Sequence, residues 1–545
     1  LYHPGAKISI PTSRISQTLN DETDVINVRS ALVGLNDAGD FVAVPVTREG
    51  HVEVAAHGPN DVFGRLSVSE LTPLAQAAGI YGINALDWRV DVTSGSTVTT
   101  GNGQITVAIN TAANARAKCQ LRRRLSYRPG QGALASFTGV FPAGVADSRM
   151  YIGPISEEDG FAFGRNGTSY GVLHRRGGQR NIRTLTVTVG AGGAENVTIT
   201  LDGTAKVVAV TAGSTVSTAY QLSRADYGTT GDGWDTDVVG ATVLFICRKA
   251  KVTSGAFTLA STGTAAGTFA NTTAGVAPTD TWTPQADWDD PMTTGNGSTG
   301  INLDPTKGQV YRIGYQFLGY GPAIYDVEYQ TGSNNPTYCP VYILPSLNLR
   351  TTPTIRNPNL PLTALVESVG STSALSMSFA SGMVGIEGRH DGGRPVPALS
   401  AGLSSIGTTE LPMLTIKNPY VYNSLTSQVG KLLKTIALSA KGATNALITF
   451  RIRRAATLTG TPNFAIALAA PSANYIASSP ALIDTSATGV SGGEVLESFV
   501  LAETGDVEHD LDIYMDPGDE ITITVVASTG SSTIAAISVT SSEYV

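Results

Sequence analysis

Four acids alternate along one short stretch of this chain: Asp506, Glu508, Asp510 and Asp512. In a strand, a period of two puts all four on one face. Like charges stacked there repel unless they are solvated, hold a cation or meet a basic surface. Ca²⁺, which takes about six to eight oxygen ligands, suits such a row, although no EF-hand spacing accompanies it. These four are therefore candidate ligand or cation contacts, with a solvated face and pairing to an arginine-rich partner as the other readings. Two basic runs offer the complement: Arg116, Lys118, Arg122, Arg123, Arg124 and Arg128, then Arg175, Arg176, Arg180 and Arg183. Such runs can bind phosphate, but no aromatic interleaving of the RNA-binding kind goes with them. They point instead to a subunit interface facing acidic neighbours. Its candidate residues are Arg122, Arg123, Arg124, Arg128, Arg175 and Arg176.

Catalytic patterns are sparse. Gly167-Thr168-Ser169-Tyr170-Gly171 matches G-x-S-x-G, with His174 nearby. A nucleophile elbow needs a helix after the serine. Here Val-Leu-His-Arg-Arg-Gly-Gly follows, which reads as a strand and a turn, so a β-hairpin is expected. Glu157, Glu158 and Asp159 stand together before Gly160. Paired carboxylates can hydrolyse glycosides when held about 5–9.5 Å apart, but adjacent acids point in different directions, and a solvated turn is expected. Trp234, Trp282 and Trp288 lie among Gly, Asp and Pro, where they could hold a sugar ring or anchor a core. The six histidines form neither HxH nor HExxH, and no phosphate-binding GxxxxGK[ST] loop occurs. No catalytic residue, cofactor or metal site is expected, and the chain is not expected to be an enzyme.

The elements that must position these residues are mostly strands. Long 3.6-residue periods are nearly absent. Short Val/Ile/Thr-rich runs recur between Gly, Asn, Asp and Pro, as at 184–189, 196–201, 206–211, 241–247, 309–317, 446–452 and 520–526. That pattern predicts an all-β fold of several sandwich or jelly-roll-like domains in tandem. An N-terminal attachment module is expected over 1–100. It would hold a turn at 36–40, a hairpin around Arg48-Glu49-Gly50 and a helix over Ser67–Gly79. A large sandwich follows over 101–350, interrupted by a small α+β subdomain at 184–276. Within that insert, Asp202-Gly203 predicts a tight hairpin and 216–225 a helix. A β-rich unit over 351–420 and an acidic sandwich over 421–545 complete the order.

Composition narrows the function classes. Charged residues make up 15% of the chain, against about 25% in an average soluble domain. Apolar residues at 41% leave enough material for cores. No run approaches about 18 apolar residues, so no helical membrane span is expected. No basic-then-apolar leader opens the sequence, and Leu1 stands first, as in a trimmed product or one numbered from within a longer one. Cys119, Cys247 and Cys339 lie far apart, which predicts inert thiols rather than a disulfide scaffold. Net charge is −8, yet no Lys or Arg follows Arg454, while twelve acids do. The preceding 454 residues thus carry about +4 (−8 minus −12), and the two parts present different fields. A nucleic-acid binder would be basic overall.

Several stretches together carry a resemblance. They are Tyr127-Arg128-Pro129-Gly130-Gln131-Gly132, Glu158-Asp159-Gly160-Phe161-Ala162-Phe163-Gly164, Arg183–Val187, Asn196–Leu201, Gly233-Trp234-Asp235, Leu303–Gly308, and Tyr311 with Tyr315–Gly319. In that order they resemble a family of β-rich virion structural proteins, fibre- or adhesin-like, of tailed bacteriophages, with relatives in large DNA viruses. The likeness spans about 30–345 and, more loosely, the remainder. It implies a virion protein assembled in the host cytoplasm, and an oligomeric spike or fibre, three copies being expected, on capsid or tail. Its partners would be itself, other virion proteins and a host-surface glycan or protein receptor, with no nucleic acid and no membrane insertion. A decoration or portal-associated protein without a receptor role is the first alternative. A virion-associated polysaccharide depolymerase is the second.

Overall fold

In a computed structural model, the structure describes residues 33–35, 41–43 and 71–544, apart from 94, 294–299, 331–335, 390–391, 442–445, 469–476, 503 and 530–532. The chain divides into two compact units, Leu1–Pro59 and Asn60–Val545. In the first, Val33–Leu35 pairs antiparallel with Phe41–Ala43, on either side of the expected turn. The hairpin around Arg48-Glu49-Gly50 and the expected cap Ser67 lie outside the described residues.

The second unit is built almost wholly of antiparallel strands, as the short alternating runs predict. Its large sandwich faces a seven-stranded sheet with a six-stranded one. The strand Ala133–Gly139 alternates buried and half-buried positions along its whole length, so one face enters the core while the other packs more loosely. Phe137, Phe163, Tyr311 and Tyr325 fill the space between the sheets, with Phe163 and Tyr311 ring centres 4.7 Å apart. Trp288 is buried against Phe163 and Tyr170, and Trp234 against Phe257, so both are core anchors rather than exposed sugar platforms.

Residues 71–78 form a strand, Leu71–Ala78, not the expected helix. Its Leu, Ala and Gln content suits a helix, but pairing with Ser381–Glu387 decides the outcome. Pro73 is tolerated because this strand lies at the edge of the six-stranded sheet, and the register shifts between Val384 and Gly385, which faces Pro73. Strands from 71 to 101 lie in the sheets of the large sandwich, so an attachment module running to residue 100 is replaced by a boundary near Pro59.

The insert leaves the sandwich after Arg176 and returns at Thr279. Its neck is tied by two backbone hydrogen bonds, Gln179 N to Val276 O (2.9 Å) and Val276 N to Gln179 O (2.8 Å). A four-stranded and a three-stranded sheet cover the helix Thr215–Ser223. Ser214 caps this helix by accepting from Ser217 N. The Asp202-Gly203 turn has φ of 49° and 81°, the left-handed pair that a two-residue hairpin needs.

The expected 351–420 unit is divided. Leu362–Ser368, Leu375–Phe379 and Ser381–Glu387 complete the large sandwich, whereas Arg394–Ile406 and Leu411–Lys417 enter the final one. That last body packs a four-stranded sheet on a six-stranded sheet, with Phe450, Ile452, Ile523 and Ile537 in its core.

Candidate functional site: a buried charged junction

The outer face of the seven-stranded sheet is charged rather than apolar. In Arg116–Leu121, Ala117, Cys119 and Leu121 enter the core, so Arg116 and Lys118 point to the other side. In Trp88–Val92, Trp88 enters the core and Arg89 and Asp91 do not. Exposed to water these residues would be ordinary. Here the insert and the C-terminal sandwich cover them, and burial makes each charge demand a partner.

The partners come from all three bodies. Asp235 of the insert accepts from Arg89 Nη2 (2.8 Å), Arg180 Nη2 (2.9 Å) and Arg248 Nε (3.0 Å). Arg248 Nη1 also reaches Asp91 (3.0 Å), which faces Arg116 (3.2 Å) and Lys118 (3.5 Å). Glu157 accepts from Lys118 (3.2 Å) and from Arg116. The C-terminal sandwich contributes Tyr420, whose ring lies 5.2 Å below the Arg89 guanidinium. Lys417 pairs with Asp237 of the insert at 3.1 Å.

Electrostatics follow from this enclosure. Burial alone would raise the Asp91 carboxyl, but Lys118, Arg116, Arg248 and Arg89 outweigh it and hold the group well below the carboxylate range. Asp235 behaves likewise, burial being overcome by Arg89, Arg248 and Arg180. Glu157 is brought down to about 2, against its burial, by Arg116 and Lys118. Its neighbour Glu158 moves the other way. Burial raises it, and hydrogen bonds from Arg180 N (2.8 Å) and Thr426 Oγ1 (3.1 Å) offset this only in part. Glu158 and Asp159 are therefore buried and Glu157 is largely enclosed, so the triplet is not a solvated turn. The residues that enclose it, from Arg116 to Thr426, are remote in sequence. The cavity that Glu157 and Glu158 line measures about 50 Å³, room for a water or two and not for a sugar ring.

The candidate assembly residues divide three ways. Arg122 pairs with Asp519 (3.0 Å) and Arg124 with the buried Asp516 (2.8 Å). Arg123 stacks over Tyr514 and sits 3.8 Å from Asp512. These three thus face acids of the same chain, correcting the expectation of a neighbouring subunit: the run lies where the large sandwich meets the C-terminal one. Arg175 is buried, bonded to Asp280 (2.8 Å) and to Tyr151 Oη (2.9 Å), so it is a structural group. Arg128 donates to Gly392 O, and Arg176 remains half-exposed at the end of its strand.

The acidic row lies on one face, as its period predicts. Asp506, Glu508, Asp510 and Asp512 are all exposed on Thr504–Met515, an edge strand. Among the described residues, no group of three or more His, Cys, Asp or Glu is arranged to hold a metal. Ser169 opens the second strand of a hairpin, and the buried His174 bonds the Thr354 carbonyl through Nε2 (3.0 Å) instead of the serine. All three cysteines are free and buried, and burial pushes the Cys119 thiol up to about 12. The junction residues Arg89, Asp91, Asp235 and Arg248 were not among the candidates. Their signal is charge alternating with apolar residues inside a strand, as in Trp88-Arg89-Val90-Asp91-Val92.

No family model matches the chain, and no curated protein matches it. Among solved structures it is similar, at 9% identity over 76% of this chain and 75% of that one, to a structure of infectious bursal disease virus Gx strain. The TM-score is 0.12, too low for the likeness to bear on fold or function.

Proposed function

We propose that this is a virion structural protein of the β-rich kind its motifs resemble, working as an oligomeric spike or fibre on capsid or tail. Its role is host-surface attachment or particle decoration. The observation that carries the reading is the junction. Three β bodies are fixed to one another by buried ion pairs, in which the carboxylates of Asp91, Asp235 and Asp237 each face arginine or lysine side chains. Such a junction holds a shape, as a protein that works by assembly requires. Attachment by several copies gains avidity from modest single sites, and the exposed acidic edge strand is a surface available for contact.

Two measurements test this. Light scattering on the purified full chain should return a multiple of 56.5 kDa, with three copies expected. Labelled protein should bind host cells, and images of the particle should locate it at spikes. Uniform coverage of every capsomer without cell binding would favour decoration without a receptor role. A stable monomer that releases reducing sugar from host polysaccharide would overturn the reading in favour of a depolymerase.

A further inference from the structure

Two loops of the large sandwich, 316–322 and 344–354, lie against each other. Tyr320 Oη donates to Thr351 O (3.2 Å), and Thr354 N donates to Gly319 O (2.7 Å). Between them they hold four large apolar side chains in water: Leu318 (57% exposed), Tyr320 (50%), Leu347 (82%) and Leu349 (61%). Leu318 has φ of 30° and Asn348 of 58°, a left-handed backbone that a leucine rarely adopts. Soluble monomers seldom display such a cluster without a use for it.

Two cations accompany the patch. Arg350 bonds only the Pro345 carbonyl (3.2 Å). Arg176 is near enough that its like charge, added to partial burial, holds Arg350 below the usual arginine value. Among the described residues, neither has a carboxylate within ion-pair distance. Arg175 and Arg312, by contrast, pair with Asp280 and Asp326. An apolar centre with two unneutralised guanidinium groups calls for an acidic partner.

The chain carries that partner chemistry itself. Among the described residues, Thr504–Met515 pairs on one side only, with Gly430–Lys441, which leaves it at the edge of its sheet. Asp506, Glu508 and Asp510 stand on its outer face opposite Ser439, Ala437 and Thr435, and no cation lies within ion-pair distance among the described residues. We infer that the Leu318–Leu349 patch of one copy, with Arg176 and Arg350, docks on the acidic edge strand of a second copy. This contact rests on the reading that the chain works by self-assembly and names the surfaces that assemble.

The test uses the full chain in two charge-reversed forms, R176E/R350E and D506K/E508K/D510K, with L347D as a third variant. Far-UV circular dichroism and the melting temperature verify folding, all substituted side chains being on the surface. Each variant alone should associate at least tenfold more weakly than the wild type in sedimentation. Mixing the two charge-reversed forms should restore association between unlike copies, since the intact cationic patch of one meets the intact acidic edge of the other and the reversed patch meets the reversed edge. If the wild type associates and the folded variants associate equally well, the inference falls and the assembly reading stands. The inference also falls if mixing fails to restore association, or if only the patch variants weaken, which would assign the patch to another occupant. A wild type that stays monomeric at every concentration removes the assembly reading itself.

Discussion

Asp235 holds three guanidinium groups with one carboxylate. Asn at this position would leave Arg89 and Arg180 buried with their countercharge removed, and Arg248 with Asp91 alone. Breaking a buried pair in this way costs about 3–5 kcal/mol, so D235N should unfold at markedly lower denaturant than the wild type. His174 makes a second, independent prediction. Burial and the nearby Arg350 and Arg176 bring it down to about 4 from 6.5. The folded state thus favours the neutral ring, while the unfolded chain takes up a proton once the pH drops below about 6.5. Stability from this group is complete above that value and is lost as the pH falls towards 4. Its size is about 3 kcal/mol, at 1.36 kcal/mol per pH unit. Glu157, brought down to about 2, adds a further loss below about pH 4.5. Glu158, raised by burial, has the opposite sign: its contribution is present in acid and lost as pH rises through its folded value. Chemical denaturation from pH 8 to 3, with H174Q as the comparison, should remove the loss between 6.5 and 4 and keep the later one.

At the scale of elements, glycines set how closely strands approach. Gly164 pairs with Gly171 on one side and with Tyr151 on the other. A Cβ on Gly164 would run into the Met150 carbonyl oxygen and the Tyr151 Cα, both backbone atoms that cannot yield cheaply. G164A should therefore lower the melting temperature or abolish soluble expression, whereas G193A, which meets nothing within 4 Å, should leave both unchanged. Local signals of this kind were legible without the structure. The Asp202-Gly203 turn, the helix expected over 216–225 and found at Thr215–Ser223, and most strand runs declare themselves within ten residues. The strand Leu71–Ala78 did not, because its partner is three hundred residues away and its own composition favours a helix. The junction was hidden for the same reason. Its charges come from strands near 90, 116, 180, 235 and 248, and no single stretch shows that a charged face is to be covered. The basic run is legible in the sequence, but its acids, Asp516 and Asp519, lie almost four hundred residues on, so the run by itself points to a partner subunit.

At the scale of the whole molecule, the two sets of ion pairs should respond differently to salt. Pairs in water are screened beyond about 3 Å at 1 M ionic strength, while buried ones are screened far less. Raising NaCl to that level should separate copies held by Arg176, Arg350 and the acidic row, yet leave the three bodies docked. Light scattering would report the first and an unchanged small-angle scattering profile of the single chain the second. Strand order carries a separate consequence. Leu362–Ser368 lies between Arg116–Leu121 and Ser148–Pro154 in the seven-stranded sheet. On the ribosome, both flanking strands emerge some two hundred residues before the one that joins them. Until then each presents a bare row of amides and carbonyls to solvent, while the insert, whose two ends are tied at Gln179 and Val276, has all its own strands and its helix but not yet Leu458, Phe464 and Leu482, which complete its core. Synthesis thus passes through a stage in which a side module with an open core hangs from a split sheet, and that interval is when this polypeptide most needs a chaperone.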